Sequence, residues 1–259
     1  MPKNILSLRN IGYSYHTTKG ETVALKDISF DVKQGEFLAL VGPSGCGKTT
    51  LLSIIAGLLT PETGIVSFPE HKGDTHNSIG YMLQRDHLFP WRTIYQNTIL
   101  GLEIQNKITE GTKAYINSLL EEYELAEFAD KYPEQLSGGM KQRAALIRTL
   151  ALNPDILLLD EPFSALDYQT RLNVSDDICK RIRKTGKTVI LITHDLSEAI
   201  SLSDRVLVLS KRPSTIKYEL NIDLDSKHRH PVLSRTSPKF GEYFNILWEE
   251  LQNESDSSN

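Results

Sequence analysis

Cysteine is scarce in this chain: Cys46 and Cys179 are the two among 259 residues, and their spacing suggests neither a disulfide framework nor a zinc cluster. Long apolar runs are also missing. The longest, over residues 51–59, falls far short of the roughly 20 residues that cross a bilayer, so the chain is not expected to anchor itself in a membrane. The first residues lack the charged, apolar and small-residue series of a secretory signal, and the expected location is cytoplasmic. There is no excess of positive charge. Lys and Arg total 29 against 33 Asp and Glu, a net charge of -4, which provides no general attraction to nucleic acid. None is expected as a partner. No segment recurs at the 20 to 50-residue period of solenoids and tandem arrays.

What is present is an ordinary globular composition, 39% hydrophobic and 24% charged, which excludes a disordered or fibrous chain. The pattern predicts short strands over residues 5–9, 24–32 and 36–41, then a glycine-rich loop and a helix over about 48–58. Strands near 64–68 and 78–83 precede a stretch of helical patterns from about 93 to 152. Strand and helix then alternate: a strand over 156–159, a helix over about 168–183, a strand over 188–193, a short helix from 196, and a strand over 205–209. Alternation of this kind predicts a parallel sheet with crossover helices, so the fold class is α/β. Residues 211–259 read as a short extension with a helix over 238–251, whose Phe240, Phe244, Leu247 and Leu251 recur at helical spacing, and a solvated tail.

Gly42, Pro43, Ser44, Gly45, Cys46, Gly47, Lys48 and Thr49 match the P-loop pattern G-x-x-x-x-G-K-[ST] between an apolar strand and a helix. The glycines let the backbone curl so that successive N–H groups meet phosphate oxygens at a helix N-terminus. Lys48 adds positive charge over the terminal phosphates, the Thr49 hydroxyl is a magnesium ligand, and Thr50 is placed in the same nucleotide site. Kinases, GTPases, helicases and transport ATPases all share this loop.

The apolar strand over 156–159 delivers Asp160 and Glu161 at its C-terminal end, where open α/β sheets bind ligands. Asp160 suits magnesium held through its water shell. Glu161 is the candidate for orienting or deprotonating the attacking water. His194 follows the strand over 188–193 and emerges at the same edge, near the terminal phosphate.

Leu136, Ser137, Gly138, Gly139, Met140, Lys141, Gln142 and Arg143 resemble the signature sequence of ABC ATPases. With the P-loop, Gln84, Asp160, Glu161, the segment from Ser164 to Asp167 and His194 in the family's order, the resemblance covers residues 5 to about 210. It implies a P-loop NTPase (RecA-like) core with an N-terminal antiparallel β subdomain and an inserted α-helical subdomain, and an ABC ATPase domain over 1–210. ATP and Mg2+ are the implied cofactors.

In that family two copies pack head to tail, so Ser137, Gly138 and Gly139 would act on the nucleotide of the partner in a homodimer, and Asp167 would link the two sites. Gln84 resembles the glutamine that touches magnesium and relays nucleotide state. Tyr15 matches the aromatic that stacks on adenine, although Tyr13 points to the same side of its strand. Gln84 to Trp91, Asn97, residues 100–103, and residues 210–213 (Ser-Lys-Arg-Pro) further resemble importers of the nitrate, sulfonate and taurine group, which also includes vitamin-precursor importers. The resemblance implies a peripheral subunit on the cytoplasmic face of the membrane. Its direct partners would be transmembrane permease subunits, and its indirect partner an extracytoplasmic solute-binding protein. Phe89 and Trp91 fit either a permease-docking surface or the core of the helical insert.

Overall fold

Strand β1 (Asn4–Thr17) pairs antiparallel with β2 (Gly20–Lys33) on one side and β4 (Thr63–Ser67) on the other. These form a three-stranded sheet of order β2-β1-β4. The computed structural model describes residues 3–18, 20–69, 78–164, 166–225 and 233–252. The expected solvated tail and Ala165 lie outside them. β1 runs eight residues past its expected end. The polar Arg9-Asn10 pair, read as a strand terminus, is instead a bulge: Asn10 has φ 50° and the register to β2 shifts between Leu8 and Ile11.

The second sheet carries the order β5-β6-β7-β3-β8-β9. Its strands are β3 (Phe37–Val41), β5 (Ile79–Met82), β6 (Ile156–Asp160), β7 (Thr188–Ile192), β8 (Arg205–Leu209) and β9 (Ile216–Asn221). The first five in spatial order are parallel, whereas β9 runs antiparallel to β8. β3, β6 and β7 are buried at every position, as strands covered on both faces must be.

One face packs against the three-stranded sheet and α1 (Lys48–Ile55), with Leu38, Leu40, Leu51 and Leu52 in a shared core. α1 stops short of its expected end because Gly57 adopts φ 73° and Leu58 N–H turns back to the Ser53 carbonyl at 2.9 Å. Over the other face lie α2 (Ile94–Thr98), α3 (Leu100–Ile104), α4 (Glu110–Glu122), α5 (Gly138–Leu150) and α6 (Tyr168–Lys184).

The sheet does not end at residue 210. β9 falls in the stretch read as an extension and completes the sheet edge; its half-exposed residues, Lys217 and Glu219 among them, mask a strand pattern. α8 (Pro238–Gln252) then buries Leu247 against Ile200 of α7 (Leu196–Leu202) and Val206 of β8. Among the described residues, no helix is long and apolar enough to cross a membrane.

Candidate active site

Between Val41 and Lys48 the chain turns through Gly45 at φ 74° and Gly47 at φ 122°, values that L side chains rarely adopt. A methyl group on Gly47 would also come within 2.9 Å of Leu25 Cδ2. The Lys48 ammonium is buried inside this curl, where it donates to the carbonyls of Gly42 at 2.8 Å and Pro43 at 3.0 Å. The buried Cys46 thiol lies beside it, at 3.8 Å. Above the loop opens a cleft of about 470 Å³ whose walls include Ser44, Lys48, Thr49, Gln84, Glu161 and His194.

Thr50 also faces the cleft, and its hydroxyl meets the Tyr15 hydroxyl at 2.9 Å. Tyr13 packs edge-on against Tyr15, with ring centroids 5.1 Å apart, and joins the core beneath the three-stranded sheet. The two tyrosines of β1 are thereby distinguished: Tyr15 meets a cleft-lining residue through its hydroxyl, and Tyr13 packs against the core.

Asp160 is 4% exposed and sits at the end of β6. Burial pushes its carboxyl above the ordinary value, as does the neighbouring charge of Glu161, while a hydrogen bond from Thr49 and the charge of Lys48 pull it down. A cation would relieve the burial penalty on the ionised form. The Thr49 hydroxyl, the Asp160 carboxylate and the Gln84 amide oxygen are hard oxygen donors of the type Mg2+ takes, so the residues fit that ion.

Glu161 leaves the strand with φ 45°, in the left-handed region where a non-glycine residue is uncommon. Its N–H donates to the Ile192 carbonyl at 3.0 Å, and its own carbonyl accepts from Ser164 N–H at 3.2 Å and the Ser164 hydroxyl at 3.0 Å. These bonds hold the sharp turn and aim the side chain back into the cleft. There Gln84 Nε2 donates to Glu161 Oε2 at 2.9 Å, and His194 Nδ1 stands 3.4 Å from the same oxygen. Residues from the two strand ends that flank β6 thus converge on its carboxylate.

The fold does not bring Ser137, Gly138, Gly139 or Asp167 to this cleft; none of them lines it. They form a second group. Ser137 caps α5, with its hydroxyl accepting from Met140 N–H at 3.4 Å. A methyl on Gly138 would touch Leu166, and one on Gly139 would touch Thr170 and Val174, each at 3.4 Å. Asp167 caps α6 by accepting from Thr170 N–H at 3.1 Å, and the Thr170 hydroxyl together with that N–H holds its carboxyl below the ordinary range.

Three further residues border the site; of these the sequence marked only Arg212, within the importer-like segment 210–213, and not for the nucleotide cleft. Arg212 lines the cleft from the loop after β8. Tyr81, on β5, is pushed up to about 12 by burial and by the Asp160 charge, which keeps its phenol neutral. Glu198 of α7 is buried behind His194, with Thr193 donating to its Oε2. A polar residue just past the C-terminal end of a parallel strand is the signal that would have found Arg212; Glu198 carries no such mark.

Residues 25–164 match the family model described as ABC transporter. The chain is 46% identical over 250 residues to YtlC of Bacillus subtilis (strain 168), an uncharacterized ABC transporter ATP-binding protein, with 96% of each chain covered. It is 37% identical over 264 residues to the taurine import ATP-binding protein TauB of Jannaschia sp. (strain CCS1), covering 98% of each. Among solved structures it resembles the ATP-binding cassette MJ0796, seen as a dimer in a post-hydrolysis state bound to ADP and Pi. That likeness has a TM-score of 0.73 at 32% identity, over 85% of this chain and 99% of the other. The chain belongs to the ABC transporter family. It is an ATP-binding cassette with the P-loop NTPase fold and ATPase activity.

Proposed function

We propose that this cassette is the ATPase subunit of an importer, working as a homodimer on the cytoplasmic face of the membrane and driving a separate permease. Its cargo is a small solute of the nitrate, sulfonate, taurine or vitamin-precursor kind, delivered to the permease by an extracytoplasmic binding protein. In this reading the P-loop N–H groups and Lys48 hold the phosphates of ATP while Tyr15 meets the adenine. Thr49, Asp160 and Gln84 hold Mg2+, which when bound offsets phosphate charge. Glu161 accepts the proton of the attacking water, oriented by Gln84 and His194. Because Ser137, Gly138, Gly139 and Asp167 lie away from their own cleft, they serve the cleft of the partner.

The observation that carries the coupling is a continuous connection from the Gln84–Glu161 bond to the surface. Asn97, fully buried, accepts from Phe89 N–H at 2.8 Å and donates to the carbonyls of Phe89, Arg92 and Thr93 at 3.0 to 3.1 Å. Arg148 of α5 donates to the carbonyls of Asp86 and His87 at 2.6 and 2.7 Å. The segment after Gln84 is clamped at both points and ends in Trp91, 70% exposed, its ring tilted against that of Phe89 with centroids 5.0 Å apart. Nearby, a cleft of about 190 Å³ opens between β5, α3 and α5, with Ile104 exposed at its rim. An exposed aromatic beside an apolar cleft fits a permease helix better than core packing.

Trp91→Ala is the test. The expected result is weaker co-purification with the permease and lower ATP-driven uptake in vesicles, with an unchanged melting temperature and unchanged basal hydrolysis. A stable variant that still binds the permease and drives uptake normally would rule this docking surface out.

A further inference from the structure

Residues 210–215 join β8 to β9 immediately beside the P-loop. The loop is closed on itself: Ser210 N–H donates to the Thr215 carbonyl at 3.0 Å, and Thr215 N–H to the Ser210 hydroxyl at 2.9 Å. It is also tied to β2, where Ser214 N–H donates to the Ala24 carbonyl at 3.0 Å and the Ser214 carbonyl accepts from Lys26 N–H at 2.9 Å. At the other side, Leu209 abuts the start of the P-loop; a methyl on Gly42 would fall 2.9 Å from the Leu209 carbonyl oxygen. Both ends of the loop are therefore fixed against the strands that flank the phosphate cradle.

Arg212 stands at the tip of that loop. Its guanidinium Nη2 would lie 3.7 Å from a methyl placed on Gly45, and the residue lines the same cleft as Lys48, Glu161 and His194. Among the described residues it has no hydrogen-bond or ion-pair partner. An exposed cation without a partner among the described residues, carried on a tied loop beside the glycine-rich curl, is prepared for a ligand rather than for a structural contact.

Strand order says which part of the ligand. β7, β3 and β8 are adjacent and parallel, so their C-terminal ends share one edge. His194 follows β7, the P-loop follows β3 and Arg212 follows β8. His194 and Arg212 consequently stand on opposite flanks of the P-loop, with Glu161 on the His194 side. We infer that Arg212 donates its guanidinium to the phosphates that ATP and ADP have in common, retaining the nucleotide from the flank opposite the hydrolytic carboxylate. The inference rests on the nucleotide site proposed above.

The test measures affinity of the full chain for fluorescent ADP and for a non-hydrolysable ATP analogue. Arg212→Ala is expected to weaken both about tenfold, the order of one charge-assisted contact partly screened by solvent. It should also flatten the fall of affinity with rising salt, because one phosphate-facing charge has gone. Arg212→Lys should restore part of the affinity and the salt slope but not the fork geometry. Arg212→Gln is measured alongside, with melting curves, in case the alanine variant does not fold.

Unchanged affinity in a folded Arg212→Ala or Arg212→Gln chain overturns the inference. So does a loss that Lys does not restore with the salt slope intact, which is the mark of a purely structural loop. A loss confined to the ATP analogue overturns the assignment to the shared phosphates. Lys48→Ala separates the two layers: if it binds both nucleotides normally, the underlying site reading fails, whereas its expected loss leaves Arg212 judged on its own result.

Discussion

Gln84 Nε2 donates to Glu161 Oε2 at 2.9 Å across 77 residues of sequence. The bond joins the carboxylate at the end of β6 to the start of the segment that ends at exposed Trp91. It leaves the amide oxygen of Gln84 available to a cation and holds the carboxylate over the P-loop.

Glu161→Gln preserves shape and volume while removing the proton acceptor. Nucleotide affinity is expected to stay within about twofold, while turnover falls by at least about a hundredfold, the scale of lost general-base assistance. Lys48→Ala should do the reverse at the binding stage and weaken affinity itself. Equilibrium binding and phosphate release on the same preparations distinguish the two, and normal turnover in the glutamine variant removes Glu161 from its role.

The separation of Ser137, Gly138 and Gly139 from the cleft of their own chain predicts complementation between damaged chains. A Lys48→Ala chain and a Ser137→Arg chain are each expected to be inactive alone. Mixed, they form dimers in which both lesions fall on one composite site and leave the other whole, so hydrolysis should return in part. Proven heterodimers with no activity would show that the signature does not act across the interface.

Glu198 predicts a pH dependence. Burial pushes its carboxyl up from the ordinary 4.5 to about 7, with the Asp195 charge adding to the rise and the Thr193 hydrogen bond and Arg171 opposing it. Between those values the folded chain holds a proton that the unfolded chain has released. Stability from this group therefore falls as pH rises through that window and levels off above it. Glu198→Gln removes the titration, so the melting temperature of the variant relative to the parent should climb from about pH 5 to about pH 8. A difference that stays constant across this range would mean that Glu198 is ionised throughout.

Much of the site was legible because its parts are local. The P-loop is consecutive, and the all-apolar runs of β3, β6 and β7 mark strands covered on both faces, which places Lys48, Asp160, Glu161 and His194 at one sheet edge. Boundaries were less legible where one residue type serves two structures. The strand expected over 5–9 continues through a bulge at Asn10, and β9 lies in the stretch read as an extension but makes a sheet edge.

By itself the sequence determined the α/β class, the phosphate cradle and the acidic strand end, since spacing and apolar runs encode local conformation and burial directly. Only the tertiary structure decided which distant residues meet. The order β5-β6-β7-β3-β8-β9 puts Gln84 and His194 on Glu161, turns Arg212 toward the P-loop and buries Glu198 behind His194. It also sets the Tyr15 hydroxyl on Thr50 and packs Tyr13 against the core, and keeps Ser137 and Asp167 apart from their own cleft. Those adjacencies depend on which strands pair and in which direction, a non-local choice settled by packing of the whole sheet rather than by any one segment.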